Sequence, residues 1–196
     1  MTDSDEDGYG DVSPAAGVEA GTDCDDSDPT IEGADADNDG QSSCDGDCDD
    51  ADPYTYTGAA QIEAPGFCMS DADNDGYGDI SPTNIATPGT DCDDENAKAF
   101  PGAAELDSPI ACMSDVDSDG YGDVAPALGI QAGTDCDDTN AGLNQDDVDL
   151  DGFTTCQDDC NDTDSDTFPG AAYIESLNAC MTDQDADGFG SLSPAF

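Results

Sequence analysis

The apolar residues of this chain are few, and they recur in short elements at fixed places within a polar repeat. Leu, Ile, Val and Phe together make up only a small minority of the sequence. One element reads Phe100-Pro-Gly-Ala-Ala-Glu and returns from Phe168 and from Tyr56, and a second is a lone aromatic at Tyr9, Tyr77, Tyr121 and Phe189. We expect both to pack as plugs over disulfides or between modules, in preference to forming a ligand-binding aromatic strip.

No predicted helix flanks the polar segments between these elements. The pattern therefore predicts little regular secondary structure: a linear array of loops and turns, with a few short helical turns after the cysteine-containing acidic clusters and at most isolated β-bridges. Each module is expected to contact mainly its neighbours.

Charge changes this picture, because the chain carries 50 acidic residues against one cation, Lys98, and no histidine. A net charge of -49 with so few apolar residues would by itself predict disorder. Ten regularly spaced cysteines argue against disorder, and disulfides and metal ions are the usual substitutes for an apolar core. The charge excludes nucleic acid and anionic membranes as partners. The sequence has no histidine, no paired nucleophile and base, and no unique set of polar residues outside the repeats. Nothing in it therefore predicts an enzyme.

An internal repeat is the strongest feature of the sequence. The segment that begins Met1-Thr-Asp-Ser-Asp-Glu-Asp-Gly-Tyr-Gly-Asp returns from Met69, Met113 and Met181, so that a long interval alternates with a short one. These intervals predict a long unit at 1–68, a short unit at 69–112, a long unit at 113–180 and the start of a further short unit at 181–196. Because the later methionines each follow a cysteine, we expect Met1 to be an internal residue of a longer repetitive chain.

Two acidic motifs make up each module. An acidic loop, Asp-x-Asp-x-Asp-Gly, begins at Asp3, Asp35, Asp71, Asp115, Asp147 and Asp183. A cysteine cluster, Asp-Cys-Asp/Asn-Asp, follows the first five loops and begins at Asp23, Asp47, Asp91, Asp135 and Asp159. The connection from loop to cluster is long in modules one, three and four, and it is shorter in modules two and five.

The loop has the first half of an EF-hand. Side chains at positions 1, 3 and 5 and the carbonyl at position 7 can surround one ion, and Gly at position 6 permits the turn. Position 9 is Asp11, Asp79 or Asp123, or else Ser43, Thr155 or Ser191. Position 12, where an EF-hand has a bidentate Glu, is Pro14, Pro82, Pro126 or Pro194 in the first, third, fourth and sixth loops. The missing ligands are therefore expected from the first and last acids of the cluster, with the middle acid, such as Asp25, as an alternative or a ligand to a second ion.

These considerations give a complete set of candidate metal ligands. In modules one to five the set is Asp3, Asp5, Asp7, Tyr9, Asp11, Asp23 and Asp26; Asp35, Asp37, Asp39, Gln41, Asp47 and Asp50; Asp71, Asp73, Asp75, Tyr77, Asp79, Asp91 and Asp94; Asp115, Asp117, Asp119, Tyr121, Asp123, Asp135 and Asp138; and Asp147, Asp149, Asp151, Phe153, Asp159 and Asp162. The sixth loop adds Asp183, Asp185, Asp187 and Phe189.

An all-oxygen site rich in carboxylates favours Ca²⁺, with Mg²⁺ second, whereas zinc and copper prefer histidine or thiolate. We expect one or two calcium ions per module, and the charge leaves room for more. The alternative, that the acidic runs are only solvated turns, is hard to reconcile with six loops and five matching clusters.

One spacing rule pairs all ten cysteines. The same interval separates Cys24 from Cys44, Cys48 from Cys68, Cys92 from Cys112, Cys136 from Cys156, and Cys160 from Cys180. Five disulfides with these partners would each stabilise the fold by roughly 3 kcal/mol. The competing interpretation is a thiolate metal site at Cys44 and Cys48 and at Cys156 and Cys160, and its spacing is awkward for zinc.

The order of the acidic loop, Asp-Cys-Asp-Asp and Pro-Gly-Ala-Ala-Glu resembles the MopE-type metal-binding repeats of secreted bacterial proteins. The loop alone is also similar to thrombospondin type 3 repeats. The likeness is most specific from Asp71 to Glu105. It implies calcium ligands at Asp71, Asp73, Asp75, Asp79, Asp91 and Asp94, and a secreted, cell-surface or matrix setting. Asn161 replaces an acid in the fifth cluster, and residues 35–50 have a shortened insert.

Taken together, the sequence predicts a calcium-binding structural protein, a rigid fibre, stalk or matrix element outside the cell or at its surface, that self-associates or continues into further repeats as a filament. The alternatives are a calcium-dependent adhesion spacer and a mineral-nucleating or ion-storing acidic matrix protein.

Overall fold

A computed structural model describes residues 1–83 and 85–191. The chain forms two compact units, Met1–Pro101 and Gly102–Phe196. Pro194, expected at position 12 of the sixth loop, lies outside the described residues, as does the end of the predicted unit 181–196. Most of the described chain is loop and turn, which confirms the expectation of little regular secondary structure.

The regular elements are short strands and single helical turns. The strands, each three residues long, are β1 (Thr55–Thr57), β2 (Cys68–Ser70), β3 (Ala99–Pro101), β4 (Cys112–Ser114), β5 (Thr167–Pro169) and β6 (Cys180–Thr182). β1 pairs antiparallel with β2, with Tyr56 opposite Met69, and β5 pairs antiparallel with β6, with Phe168 opposite Met181. No membrane-spanning helix occurs within residues 1–83 and 85–191.

The strands go beyond the isolated bridges that we expected, because the Tyr/Phe-containing element pairs with the Cys-Met segment at the boundary with the next unit. Isolated parallel bridges occur as well, and each joins position 9 of a loop to the first acid of its cluster. These bridges are found in modules one, three and four, which have the long connection between loop and cluster.

The helical turns lie elsewhere than the sequence suggested. Two 3₁₀ turns, Ser43–Asp45 and Thr155–Gln157, precede the clusters of modules two and five instead of following them. The connection from loop to cluster is short in these modules. The chain must therefore reverse direction within one helical turn to reach the cluster. Left-handed residues end both turns, Gly46 at φ 104° and Asp158 at φ 67°.

Disulfides link each cluster to the chain that follows it. The bonds Cys24–Cys44, Cys48–Cys68, Cys136–Cys156 and Cys160–Cys180 are present as the spacing predicts, with Cα–Cα distances of 5.7–6.3 Å. Cys92 and Cys112 are also disulfide-bonded, and the described chain has no free cysteine. The competing thiolate metal site is therefore wrong at both of its places. Disulfides at this density are typical of an oxidising environment.

The buried residues do not make a conventional core. The buried apolar side chains are alanines and two methionines, among them Ala60, Ala104 and Ala172 at 0% exposure. The two predicted aromatic elements pack on each other where Tyr77 stacks on Phe100 at 5.2 Å, whereas Phe168 stacks on Phe153, at position 7 of the fifth loop, at 5.3 Å. The largest side chains with no exposed surface are Thr55 and the aspartates Asp23, Asp91 and Asp135. The centre of this fold is therefore carboxylate.

Candidate metal centres

Each acidic loop is folded by its own carboxylates, as the third loop illustrates. The Gly76 amide donates to Asp71 Oδ2 at 3.0 Å, the Asp75 amide to Asp73 Oδ1 at 3.1 Å, and the Tyr77 amide to Asp75 Oδ1 at 2.8 Å. These are Asx turns, in which a short acid accepts a hydrogen bond from the backbone two or more residues ahead. Aspartate is required here because glutamate is too long to make them.

Two residues in each loop adopt left-handed backbone conformations. In the third loop these are Asn74 at position 4, with φ 63°, and Gly76 at position 6, with φ 94°. Positive φ is costly for most residues, and only Gly adopts it freely. All six loops have both, even where position 4 is Leu150. The loops therefore share one tight backbone path, which turns positions 1, 3 and 5 towards a common centre.

The cluster closes over the loop through two backbone links. In module three the Asp91 amide donates to the Gly78 carbonyl at 2.9 Å, within the bridge between Asp79 and Asp91. The last acid of the cluster, Asp94, accepts a hydrogen bond from the Ala72 amide at 3.1 Å. The same link from last acid to loop position 2 recurs in the other four modules, at Asp26, Asp50, Asp138 and Asp162.

These hydrogen bonds use one oxygen of each central carboxylate and leave the other without a partner. Unpaired and buried oxygens belong to positions 3 and 5 of the loop and to the first acid of the cluster in all five modules, and to position 1 in two of them. They are on Asp5, Asp7 and Asp23; Asp37, Asp39 and Asp47; Asp71, Asp73, Asp75 and Asp91; Asp117, Asp119 and Asp135; and Asp147, Asp149, Asp151 and Asp159.

Acids that hold unpaired oxygens lie close together in module one. One ligand atom from each of Asp5, Asp7 and Asp23 lies within 4.8 Å of the others, and Asp3, Asp5 and Asp26 form a second such group. Asp23 is fully buried. A buried, charged carboxylate oxygen with no donor is costly, and Lys98 is the only lysine or arginine of the chain against 50 acids. These groups could hold a metal ion, which would supply positive charge.

Burial and the neighbouring charges raise the pKa of these groups. Burial, followed by the charges of nearby aspartates, raises the pKa of Asp91 and of Asp94 to about 7 and that of Asp75 to about 6. Burial is also the largest cause that raises the pKa of acids in the other four modules, at Asp5, Asp39, Asp47, Asp117, Asp135, Asp138, Asp151 and Asp159.

These shifts predict how the metal-free chain responds to pH. A carboxyl whose pKa rises from 3.8 when unfolded to about 7 when folded binds more protons in the folded state between those values. Its contribution to stability is present below about pH 4 and is lost as pH rises through 7. In chelator, we expect the urea midpoint to fall steadily from pH 4.5 to pH 7.5. A midpoint that stays level or rises over this range would contradict the burial of unpaired carboxylates.

The sixth loop serves as an internal comparison, since no cluster follows it in this sequence. Its Gly188 amide donates to Asp183 Oδ2 at 2.7 Å and its Phe189 amide to Asp187 Oδ1 at 2.9 Å, so the turns form. Asp185 and Asp187 are nevertheless exposed, and none of the described buried, unpaired oxygens belongs to this loop. The cluster therefore buries the loop carboxylates and completes the site.

Position 9 differs between the two kinds of module. The acids Asp79 and Asp123 face the last acids of their clusters, because their charges contribute to the raised pKa of Asp94 and Asp138 respectively. In module five the Thr155 hydroxyl instead donates to the Asn144 carbonyl at 3.2 Å. In module two Ser43 bonds Glu32 in the same way. These two hydroxyls link the loop to the preceding chain and are not free to hold a water for an ion.

The structure also identifies a residue that the sequence did not single out. Thr154, at position 8 of the fifth loop, is buried and its hydroxyl has no partner. A threonine at this place gives no signal by itself, because the loop motif specifies positions 1, 3, 5, 6, 7 and 9. The burial of Thr154 depends on how the short connection between loop and cluster folds back.

The middle residue of the cluster accepts a hydrogen bond from a hydroxyl two residues ahead. Asp25 accepts a hydrogen bond from the Ser27 hydroxyl at 2.6 Å, and Asp137 accepts one from Thr139 at 2.7 Å. Asn161 makes the same bond with Thr163 at 2.9 Å. The asparagine of the fifth cluster therefore makes the same local contact as the acids it replaces.

The donor set fits a hard cation. Each complete module holds three to four buried carboxylate oxygens without a partner, and the position-7 carbonyls accept no hydrogen bond within the described residues. All ten sulfurs are in disulfides, so oxygen is the available ligand atom. No family model, no curated protein and no solved structure matches this chain.

Proposed function

We propose that this chain is a calcium-binding structural repeat protein, in which each complete module folds around calcium and the array forms a rigid fibre, stalk or matrix element outside the cell. The buried aspartates carry this proposal. Asp23, Asp91 and Asp135 have no exposed surface and one oxygen each without a donor. Such a carboxylate stays charged at neutral pH without a large energetic cost only when a cation lies beside it.

Calcium is favoured over other ions by the number and type of oxygens. Module three has four aspartates with unpaired buried oxygens, Asp71, Asp73, Asp75 and Asp91, and the carbonyl of Tyr77 is also without a donor. Ca²⁺ takes six to eight oxygen ligands in flexible geometry, whereas Mg²⁺ demands a near-ideal octahedron and retains several of its waters. A crowded, water-poor carboxylate site suits Ca²⁺.

Burial also favours a structural role over ion storage. An ion store or a mineral template needs acids at the surface that exchange freely. Here the oxygens that converge are the buried ones, and their loops and clusters are joined by backbone hydrogen bonds, such as those of Asp91 and Asp94. Calcium bound there would stabilise the fold itself, because ligands that are assembled by folding couple binding to folding. The disulfides support an extracellular location.

The test is a calcium titration of the disulfide-bonded chain, started in chelator and followed by near-UV circular dichroism and by hydrodynamic radius. Tyr77 and Phe100, which stack, supply the dichroism signal. We expect both signals to change together and to saturate at one or two ions per module, at roughly 10⁻⁴ to 10⁻³ M calcium as in other extracellular modules.

Magnesium at the same concentration is the matched control, and we expect it to give a smaller change. If calcium alters neither signal, the proposed function is wrong. If magnesium reproduces the full change, the ion assignment is wrong, although a cation-dependent fold would remain.

A further inference from the structure

In modules two, three and five, the element that follows the cysteine cluster docks on the next acidic loop. The Leu106 amide donates to the Gly120 carbonyl at 2.9 Å, and the Ile62 amide to the Gly76 carbonyl at 3.0 Å. The aliphatic side chains cover the same glycines, since a Cβ on Gly76 would lie 2.7 Å from Ile62 Cγ1. A side chain at position 6 of these loops would clash with the docked aliphatic residue. Glycine is therefore needed there for packing as well as for the turn.

The next residue of this element is an acid, and its carboxylate spans both halves of the following site. Asp107 Oδ2 accepts hydrogen bonds from the Gly122 amide at 2.9 Å and from the Thr134 amide at 2.8 Å. Gly122 is position 8 of the fourth loop, and Thr134 directly precedes Asp135, the first acid of the fourth cluster. The Thr134 hydroxyl donates to the other oxygen of Asp107 at 2.7 Å.

The corresponding acids in the preceding and the following repeat units, Glu63 and Glu175, make similar contacts. Glu63 Oε2 accepts from the Gly78 amide at 3.1 Å and from the Thr90 amide at 3.2 Å. Glu175 Oε2 accepts from the Gly190 amide of the sixth loop at 2.8 Å. Two sequence positions before Asp107, Glu105 is exposed to solvent. Asp107, which lies where the element contacts the loop, therefore accepts these hydrogen bonds, and the neighbouring Glu105 does not.

We propose that Glu63 and Asp107 are positioning residues for the calcium site of the module that follows them, so that the sites are coupled in one direction along the chain. This inference rests on the proposed function. The carboxylate holds the loop and the cluster at the spacing that brings their unpaired oxygens together, and it does so from a segment that belongs to the preceding module. Both oxygens of Asp107 and Oε2 of Glu63 accept hydrogen bonds from the next module, so we assign these acids to positioning and not to ligation.

The test is a calcium titration of the whole chain followed by NMR, with the amide signals of Gly76 and Gly120 reporting modules three and four separately. We expect Asp107→Asn to raise the calcium concentration at half-saturation of module four by about tenfold, because it removes a charge-assisted bond to two amides, and to leave module three unchanged. Glu63→Gln should weaken module three and leave the calcium response of module two, upstream of it, unchanged.

Two further variants separate positioning from other effects. Glu105→Gln removes the same charge two residues away and should change neither module. Asp107→Glu, which installs the residue present at position 63, should restore wild-type binding in module four. The inference is overturned if Asp107→Asn leaves module four unchanged, or if it weakens modules three and four equally. If the wild-type chain shows no calcium response, the proposed function fails instead.

Discussion

Replacing Asp91 by asparagine should have opposite effects on the calcium-loaded and the metal-free protein. With calcium, the variant loses one charged ligand and we expect the affinity of module three to fall by at least about tenfold. Without calcium, the wild-type chain buries an unpaired carboxylate at 0% exposure, and asparagine removes that charge. The metal-free variant should therefore unfold at a higher urea concentration than the metal-free wild type at pH 7.5.

Asp93→Asn is the matched control for this prediction. Asp93 is the middle acid of the same cluster, and the fifth cluster has Asn161 at the equivalent place. The control should leave calcium affinity and metal-free stability close to those of the wild type. If Asp91→Asn destabilises the metal-free chain as well, Asp91 is a structural hydrogen-bond acceptor and not a ligand.

Reduction and chelation should each loosen the chain, and only their combination should unfold it completely. The disulfides join a cluster to the segment after it, as in Cys160–Cys180, whereas the proposed calcium ion would join a cluster to the loop before it. Either constraint alone leaves half of each module closed. Each disulfide contributes roughly 3 kcal/mol by restricting the unfolded chain. With both removed, a chain of net charge -49 should expand to a radius of gyration of roughly 47 Å or more.

Small-angle scattering under four conditions measures this: oxidised or reduced, each with calcium or with chelator. We expect intermediate dimensions when one constraint is removed. A reduced chain in saturating calcium that is as expanded as the reduced and chelated chain would show that calcium holds no part of the module together.

Much of the site could be predicted from the sequence because its chemistry is local. Asx turns at positions 1, 3 and 5 need only the residues within the loop, and the cysteine spacing repeats without exception. The position-9 hydroxyls of Ser43 and Thr155 are different. They are bonded to the segment before the loop, a contact that depends on how the short connection folds.

The docking acids could not be predicted for a related reason. Glu63, Asp107 and Glu175 stand in a repeated element, but Glu105 is equally acidic and lies two residues from Asp107. Only the path of the chain between modules decides which of them reaches the next loop. The short strands were missed because each depends on a pairing across a loop, as between Tyr56 and Met69, and three residues carry too little pattern to indicate a strand.

Anomalous scattering from crystals grown in calcium shows whether the unpaired buried oxygens are calcium ligands. We expect an anomalous peak among these oxygens in each of the five complete modules, with Asp5, Asp7 and Asp23 marking the first and Asp73, Asp75 and Asp91 the third. Calcium peaks confined to exposed acids, with these oxygens bound only by water or by protons, would contradict it.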